Sequence, residues 1–205
     1  MKSEITEIHS RAPGRPREFD MDLALDQAVR VFSERGFHAT SITDLTEAME
    51  LTAGSIYKAF KDKRAVFIAA LGQQMAHRSD ELLRAIKLAE SGRSKVHAAL
   101  TFYANASHGV EGRLGCLVVG TAMELSTFDA EIGEIVTGSI RSREKLIVDL
   151  LRIGQEDGSI AAAIDVKASA RCLLCLMQGM RVLGKTAPTR SEMSAAVEVA
   201  MKMLD

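Results

Sequence analysis

The sequence has few of the residues that build β-sheets, disulfide frameworks or membrane spans. Aromatic residues make up 4% of its 205 residues, tryptophan is absent, and there are only three prolines. No apolar run approaches the roughly 20 residues of a bilayer-spanning helix, and the polar first ten residues are unlike a secretory leader. An odd number of cysteines, three, argues against a disulfide framework and for a reducing compartment. These absences predict a cytoplasmic protein without a membrane partner.

Net charge is also nearly absent, at −1 for the whole chain. Any affinity for nucleic acid must therefore come from locally clustered basic residues. Such clusters occur in the first stretch, at Arg11, Arg15 and Arg17, and again between Lys58 and Arg64. Taken alone, either cluster could equally belong to an ordinary solvated surface that does not bind nucleic acid.

Helical periodicity fills most of the chain. Apolar residues recur at intervals of three and four, and no stretch alternates apolar and polar residues as a half-buried strand does. Capping residues predict helix starts after Asp20, Ser41, Thr52 and Asp62, the last opening a long helix to about residue 90. Further helices are predicted at about 93–108, 115–126, 129–155, 165–184 and 190–204. The pattern predicts an all-α protein.

Residues 41–60 have the spacing of a helix-turn-helix. Two short capped helices flank a turn of three to four residues, and in that motif the second helix meets base edges in the major groove of DNA. With Ile56 and Phe60 turned inward, the second helix presents small and polar side chains outward. An ordinary helical hairpin has the same spacing, but the basic residues that follow favour DNA binding.

The segment Thr40–Phe67, which reads TSITDLTEAMELTAGSIYKAFKDKRAVF, resembles the DNA-binding domain of the tetracycline-repressor (TetR) family, as do Gly14–Arg17 and Arg35–Phe37 before it. The resemblance covers residues 14 to about 70. It implies a flexible basic arm (1–18), a three-helix helix-turn-helix domain (19–62) and a C-terminal helical bundle for dimerisation and ligand binding (63–205). The implied function is that of a homodimeric repressor that leaves a pseudo-palindromic operator when a small-molecule effector binds.

The same resemblance implies which side chains meet DNA. Ser55 and Lys58 correspond to base-reading positions, Tyr57 and Lys63 to phosphate-binding positions, and the arm to a minor-groove contact. The full implied set is Arg15, Arg17, Thr40, Ser41, Thr52, Ala53, Ser55, Tyr57, Lys58 and Lys63. Two positions depart from the family pattern. Glu50 stands where glycine is usual, so we expect a left-handed glutamate, and Ala59 stands where histidine is common.

The C-terminal part is expected to supply the dimer interface and the effector pocket. The resemblance implies an interface on the helices predicted at about 129–155 and 165–184. In the second of these, an apolar stripe with small residues would face a second copy, or alternatively the protein's own core: Ala168, Cys172, Cys175, Leu176, Gly179, and Val182 or Leu183. Expected pocket residues, for which core packing is the alternative, are Met75, Phe102, Tyr103, Cys116, Met123 and Glu124, with His97, His108 and Arg113 as possible polar contacts. The helix from residue 63 to 90 would transmit the effector signal to the DNA-binding domain.

The remaining motifs concern cysteine chemistry and catalysis. The run Gly115-Cys116-Leu-Val-Val is similar to one in family members that respond to electrophiles or oxidants, although a small buried hydrophobe is the simpler interpretation. Cys172 and Cys175 lack a second Cys/His pair, so no metal site is predicted. No phosphate-binding glycine loop, His-Glu-x-x-His pattern or nucleophile elbow is present, which predicts neither an enzyme nor a cofactor. An activator, or a regulator controlled by Cys116 or by a protein partner, is the alternative.

Overall fold

The computed structural model describes residues 20–127 and 129–205, and within them the chain is helical throughout, without a strand. This confirms the all-α prediction. None of these helices combines the length and the apolar character that a membrane span requires. The ten α-helices are α1 (Met21–Ala39), α2 (Ile42–Met49), α3 (Ala53–Ala59), α4 (Lys63–Lys87), α5 (Gly92–Asn105), α6 (Gly109–Leu114), α7 (Leu117–Glu124), α8 (Ala130–Glu156), α9 (Val166–Leu183) and α10 (Arg190–Met201).

The first four helices start where their capping residues predict. The side chains of Asp20, Ser41, Thr52 and Asp62 each accept a hydrogen bond from a backbone N–H of the following turn. At α2 the cap is reciprocal, because the N3 carboxylate also accepts from the cap backbone. Local sequence therefore sets the register of the first four helices.

Helix α6 was not predicted, because Gly109 and Gly112 resemble loop residues in the sequence. The structure gives Gly112 a different role. A Cβ added to it would lie 2.6 Å from the carbonyl carbon of Ser107 and close to the backbone of Gly184. Gly112 is thus needed for close packing of α6 against the turn after α9, not for ending a helix.

The apolar residues form two cores that share their long helices. The first core contains α1–α3, the first half of α4, α7 and the first half of α8. The second contains the end of α4, α5, the second half of α8, α9 and α10. The cores divide within α4, between Leu71 and Leu82, and not at its beginning. The helix-turn-helix is therefore packed on the same core as α7.

Candidate DNA-binding surface and ligand cavity

Helices α2 and α3 form a two-helix unit held by buried side chains. Leu45, Met49 and Ile56 are buried, and Phe60 at the end of α3 is half-buried. Residues 50–52 make the turn between the helices. Because the inner side of α3 is anchored in this way, its opposite side is fixed toward solvent.

That opposite side has the composition of a groove-facing surface. Thr52, Ala53, Tyr57 and Lys58 are exposed, with Tyr57 54% exposed. Ser55 is half-buried, and its hydroxyl lies 3.0 Å from that of Thr52. The predicted outward orientation is confirmed for the four exposed residues, and Ser55 lies at the edge of the face.

Glu50 adopts the left-handed conformation that the sequence predicts. Its φ is 54° and its ψ 38°, directly after the last residue of α2. A side chain in this region is strained by about 1 kcal/mol relative to right-handed backbone. The turn of the motif is therefore formed against a local conformational preference.

Lys63 is turned toward the protein. Its Nζ donates to the carbonyl oxygens of Phe37 (2.9 Å) and Thr40 (2.8 Å) and lies 4.4 Å from the centre of the Phe37 ring. The ammonium thus closes the end of α1, where carbonyls lack helical partners. Contact of Lys63 with a phosphate stays a prediction, and it requires the ammonium to leave these carbonyls.

Arg64 is also held within the protein. Its guanidinium donates to both carboxylate oxygens of Asp129 (2.6 and 2.8 Å) and to Glu131 (2.7 Å) at the start of α8. Hydrogen bonding to Arg64 lowers the pKa of Asp129 to about 2. Of the basic run at 58–64, only Lys58 and Lys61 are exposed, so the cluster is smaller than the sequence indicates.

The other predicted phosphate contacts are not all at the surface. A phosphate contact by the Thr40 side chain is ruled out in this conformation, because the residue is 1% exposed and its hydroxyl donates to the Gly36 carbonyl (2.7 Å). Ser41 is exposed at the start of α2, where its hydroxyl pairs with Asp44. Arg15 and Arg17 lie outside the described residues.

A cavity of about 240 Å³ lies between α1 and α4–α9. Four of the six predicted pocket residues line it, namely Met75, Phe102, Tyr103 and Cys116. The sequence analysis missed its charged and polar wall, which includes Arg78, Arg143, Gln178 and Arg181. The structure thus places the cavity where the effector pocket was expected, with a more polar lining.

The other two predicted pocket residues do not line this cavity. Met123 is 77% exposed on the far side of α7. Glu124 lies at the end of α7, away from this cavity, where its carboxylate accepts from the backbone N–H groups of Phe37 (3.2 Å) and His38 (3.1 Å). Nor do His97, His108 and Arg113 belong to the lining. Glu124 instead connects α7 to the end of α1, next to the helix-turn-helix.

Arg181 is the most buried charged side chain of the cavity wall. It is 4% exposed, and its Nη2 donates to the carbonyl of Gly115 (2.6 Å). Among the described residues, no group accepts from its Nε or Nη1. Helical periodicity places Arg181 on the buried side of α9, with Leu174 and Met177, whereas Arg171 is exposed. The sequence does not show that its guanidinium reaches the loop before α7.

The apolar stripe of α9 lies at the surface of the single chain. Ala168, Cys172, Cys175, Val182 and Leu183 are exposed, and Leu176 and Gly179 are half-exposed. The second core uses other positions of α9, Ala170, Leu173, Leu174, Met177 and Met180, and Leu176 of the stripe packs against it. The alternative that the stripe faces the protein's own core is therefore wrong for its five exposed residues.

All three cysteines are free thiols. Cys116 is half-buried at the cavity wall, immediately before α7, while Cys172 and Cys175 are exposed. In the part of the chain that the structure describes, no three His, Cys, Asp or Glu side chains are grouped as metal ligands.

Comparisons with known proteins agree with this geometry. Residues 24–70 match the family model described as bacterial regulatory proteins, tetR family, and residues 92–200 match a tetracyclin repressor-like C-terminal domain. The transcriptional repressor ComR of Escherichia coli is 30% identical over 186 residues, 89% of this chain and 87% of ComR. The repressor DhaR of Mycobacterium sp. is 26% identical over 186 residues, 88% of this chain and 89% of DhaR.

A solved structure extends the likeness to the whole fold. A cysteine-substituted form of the regulator CifR, complexed with 26-bp double-strand operator DNA, aligns with a TM-score of 0.84 and 30% identity. The alignment covers 94% of this chain and all of that one. The two family-model matches, at residues 24–70 and 92–200, cover both the DNA-binding surface on α3 and the C-terminal helices. The chain belongs to the tetR family of bacterial regulatory proteins and is a DNA-binding transcriptional regulator.

Proposed function

We propose that this protein is a homodimeric repressor that binds a pseudo-palindromic operator through α3 and is released by a small molecule bound in the cavity. The observation that supports it best is α3 itself, anchored by buried Ile56 with Tyr57 and Lys58 exposed. ComR and DhaR are named repressors, and CifR has been solved on operator DNA. Such a regulator acts in the cytoplasm, where its operator is, and the proposal gives it no catalytic role.

A dimer follows from the size of the reading surface and from the outer face of α9. One short helix reads only a few base pairs, whereas two related by a two-fold axis read half-sites about one DNA turn, roughly 34–36 Å, apart. The surface stripe of α9 is apolar and rich in small residues, which suits close packing against a second copy. We place the two-fold axis beside this stripe.

Selection of duplexes from a random library with the full-length protein tests the operator proposal. We expect a consensus of two inverted half-sites. Tyr57→Phe should raise the Kd about tenfold for all sequences through a lost phosphate contact, whereas Lys58→Ala should change the selected bases. Lys87→Ala, at an exposed site at the far end of α4, is the matched control. Enrichment of no duplex over random sequence would contradict the proposal.

Helix α7 offers a direct route from the cavity to the DNA-binding surface. Its first turn follows Gly115, whose carbonyl is held by Arg181, and its last residue, Glu124, holds the backbone at Phe37 and His38. Lys185, after α9, adds a contact to the carbonyl of Ser33 on α1 (3.2 Å). We propose that a ligand shifts α7 and thereby α1, in addition to any movement of α4.

Modification of Cys116 is the second candidate for control. The observation in its favour is that this thiol lines the same cavity, one residue before α7. Addition of the sulfur to a quinone ring would place a bulky group where we expect the effector. Operator affinity that is unchanged by quinone in the wild type, or changed equally in Cys116→Ser, would exclude this mode.

A further inference from the structure

The cavity wall carries a buried positive charge. Only one nitrogen of the Arg181 guanidinium, Nη2, has a partner among the described residues, and that partner is a neutral carbonyl. Burying a charge without an opposite charge or a full set of hydrogen bonds is unfavourable. A ligand that accepts from the remaining guanidinium nitrogens would offset that cost.

The acidic side chains around the cavity are engaged elsewhere. Glu81 and Glu111 both contact Arg78 (3.3 and 2.8 Å). Asp26 accepts from the side-chain amide of Gln73 (2.7 Å). None of these three carboxylates forms an ion pair with Arg181, so its charge has no opposite charge in contact with it among the described residues.

Two further side chains strengthen the anion preference of the cavity. Arg143 also lines the cavity, and among the described residues no carboxylate forms an ion pair with it. Tyr103 is half-buried in the same lining, and burial raises the pKa of its hydroxyl above the ordinary value. The Tyr103 hydroxyl therefore remains protonated near neutral pH and is available as a hydrogen-bond donor.

Part of the lining is apolar. Val29, Met75, Phe102 and Ile140 contribute to it. The volume of about 240 Å³ lies just below the roughly 300–1,000 Å³ of typical small-molecule sites. Such a cavity accepts a compact molecule with one charged end and one apolar end.

We propose that the cavity binds a compact organic acid, with its carboxylate at Arg181 and its apolar body against Met75, Phe102 and Ile140. Arginine suits this role because its guanidinium keeps its charge when buried and directs several donors at a carboxylate. The inference rests on the proposed function only for the consequence of binding, since the cavity and its charge are properties of the chain itself.

Titration calorimetry with pairs of matched probes tests the ligand class without DNA. The probes are benzoate, phenylacetate and hexanoate, each with its uncharged amide. We expect at least one acid to bind at least tenfold more tightly than its amide. Arg181→Gln, which can still donate to the Gly115 carbonyl, should lose that preference, and Arg181→Lys should keep part of it. Arg171→Gln, at an exposed arginine of the same helix, is the control.

Three results would overturn the inference: equal binding of acids and amides, no binding of any probe, or a preference for acids that survives in Arg181→Gln. Melting temperatures of the variants show whether each is folded. Operator binding by the ligand-free protein is measured separately. If the protein binds acids but no operator, the proposed function is wrong and the ligand class is retained. If it binds an operator but shows no preference for acids, only the ligand class is wrong.

Discussion

At the scale of single residues, Glu50 is one of two described residues other than glycine that have left-handed backbone, the second being Ala187. Its left-handed backbone suits glycine better than any L-residue with a side chain. Glu50→Gly should therefore raise the free energy of unfolding by up to about 1 kcal/mol, less the entropy that glycine adds to the unfolded chain. Urea titration of the wild type and the variant at the same protein concentration measures this change in the free energy of unfolding.

Glu47→Gly is the matched control for this substitution. Glu47 is exposed inside α2, where glycine is unfavourable by about 1 kcal/mol. If the free energy of unfolding rises in Glu50→Gly and falls in Glu47→Gly, backbone conformation causes the difference. If both substitutions lower it equally, the left-handed turn is not strained.

Lys63 distinguishes a structural role from a phosphate contact. Removing its ammonium takes the donor from the carbonyl of Thr40 and leaves that of Phe37 with the backbone N–H of Thr40 (3.4 Å). Lys63→Ala should therefore lower the free energy of unfolding by about 1–3 kcal/mol. Lys61→Ala, at an exposed lysine nearby, should change it by less than about 0.5 kcal/mol. Denaturant unfolding of both variants gives the comparison.

The salt dependence of operator binding tests the second role of Lys63. Each phosphate contact contributes about 0.9 to the slope of log K against log salt concentration. If Lys63 acts only within the protein, the slope for Lys63→Ala equals that of the wild type. A slope that is smaller by about 0.9 would assign the contact that the family resemblance implies.

At the scale of elements, α7 is short but joins two functional regions. In Glu124→Ala the backbone N–H groups of Phe37 and His38 lose a carboxylate acceptor, a charge-assisted bond of about 1.5–3 kcal/mol. Hydrogen exchange at these two amides should become at least tenfold faster. Met123→Ala, at the exposed neighbouring position, should leave both rates unchanged. Equal exchange rates at Phe37 and His38 in Glu124→Ala and Met123→Ala would show that Glu124 does not connect α7 to α1.

Element starts could be predicted because their causes are local. Thr52 accepts from the N–H of Ser55 three residues away, and the same kind of contact starts α1, α2 and α4. Gly112 was misinterpreted because a side chain there would meet the backbone of Ser107 and Gly184, and tertiary packing brings this backbone close. Lys63 was assigned to DNA for the same reason, since its partners precede it by more than 20 residues.

At the scale of the whole molecule, the surface stripe of α9 should decide the oligomeric state. Val182→Glu places a charge in the stripe, at a residue that is 47% exposed in the single chain. We expect the dimer dissociation constant to rise at least tenfold in sedimentation velocity, with a parallel loss of operator affinity. Val199→Glu, on α10 at a residue that is 64% exposed, is the control. A monomeric wild type at micromolar concentration would contradict the interface.

The candidate site was only partly predictable from the sequence. The outward face of α3 follows from helical periodicity around Ile56, so Tyr57 and Lys58 could be placed in advance. The polar wall of the cavity could not, because the contact of Arg181 with the carbonyl of Gly115 joins positions 66 residues apart in the chain. Helical periodicity describes one helix at a time, whereas this cavity is lined by residues from α1 and from α4–α9.

The sharing of α4 and α8 between the two cores also limits how the chain can be divided. A fragment that ends before α4 would lack Val66, Phe67 and Leu71, and one that ends before α7 would still lack Leu117 and Leu125. The helix-turn-helix would then expose the apolar side on which it normally rests. The DNA-reading part of this molecule is therefore not a detachable module, and grafting it onto another protein would require carrying α7 and the beginning of α8 along with it.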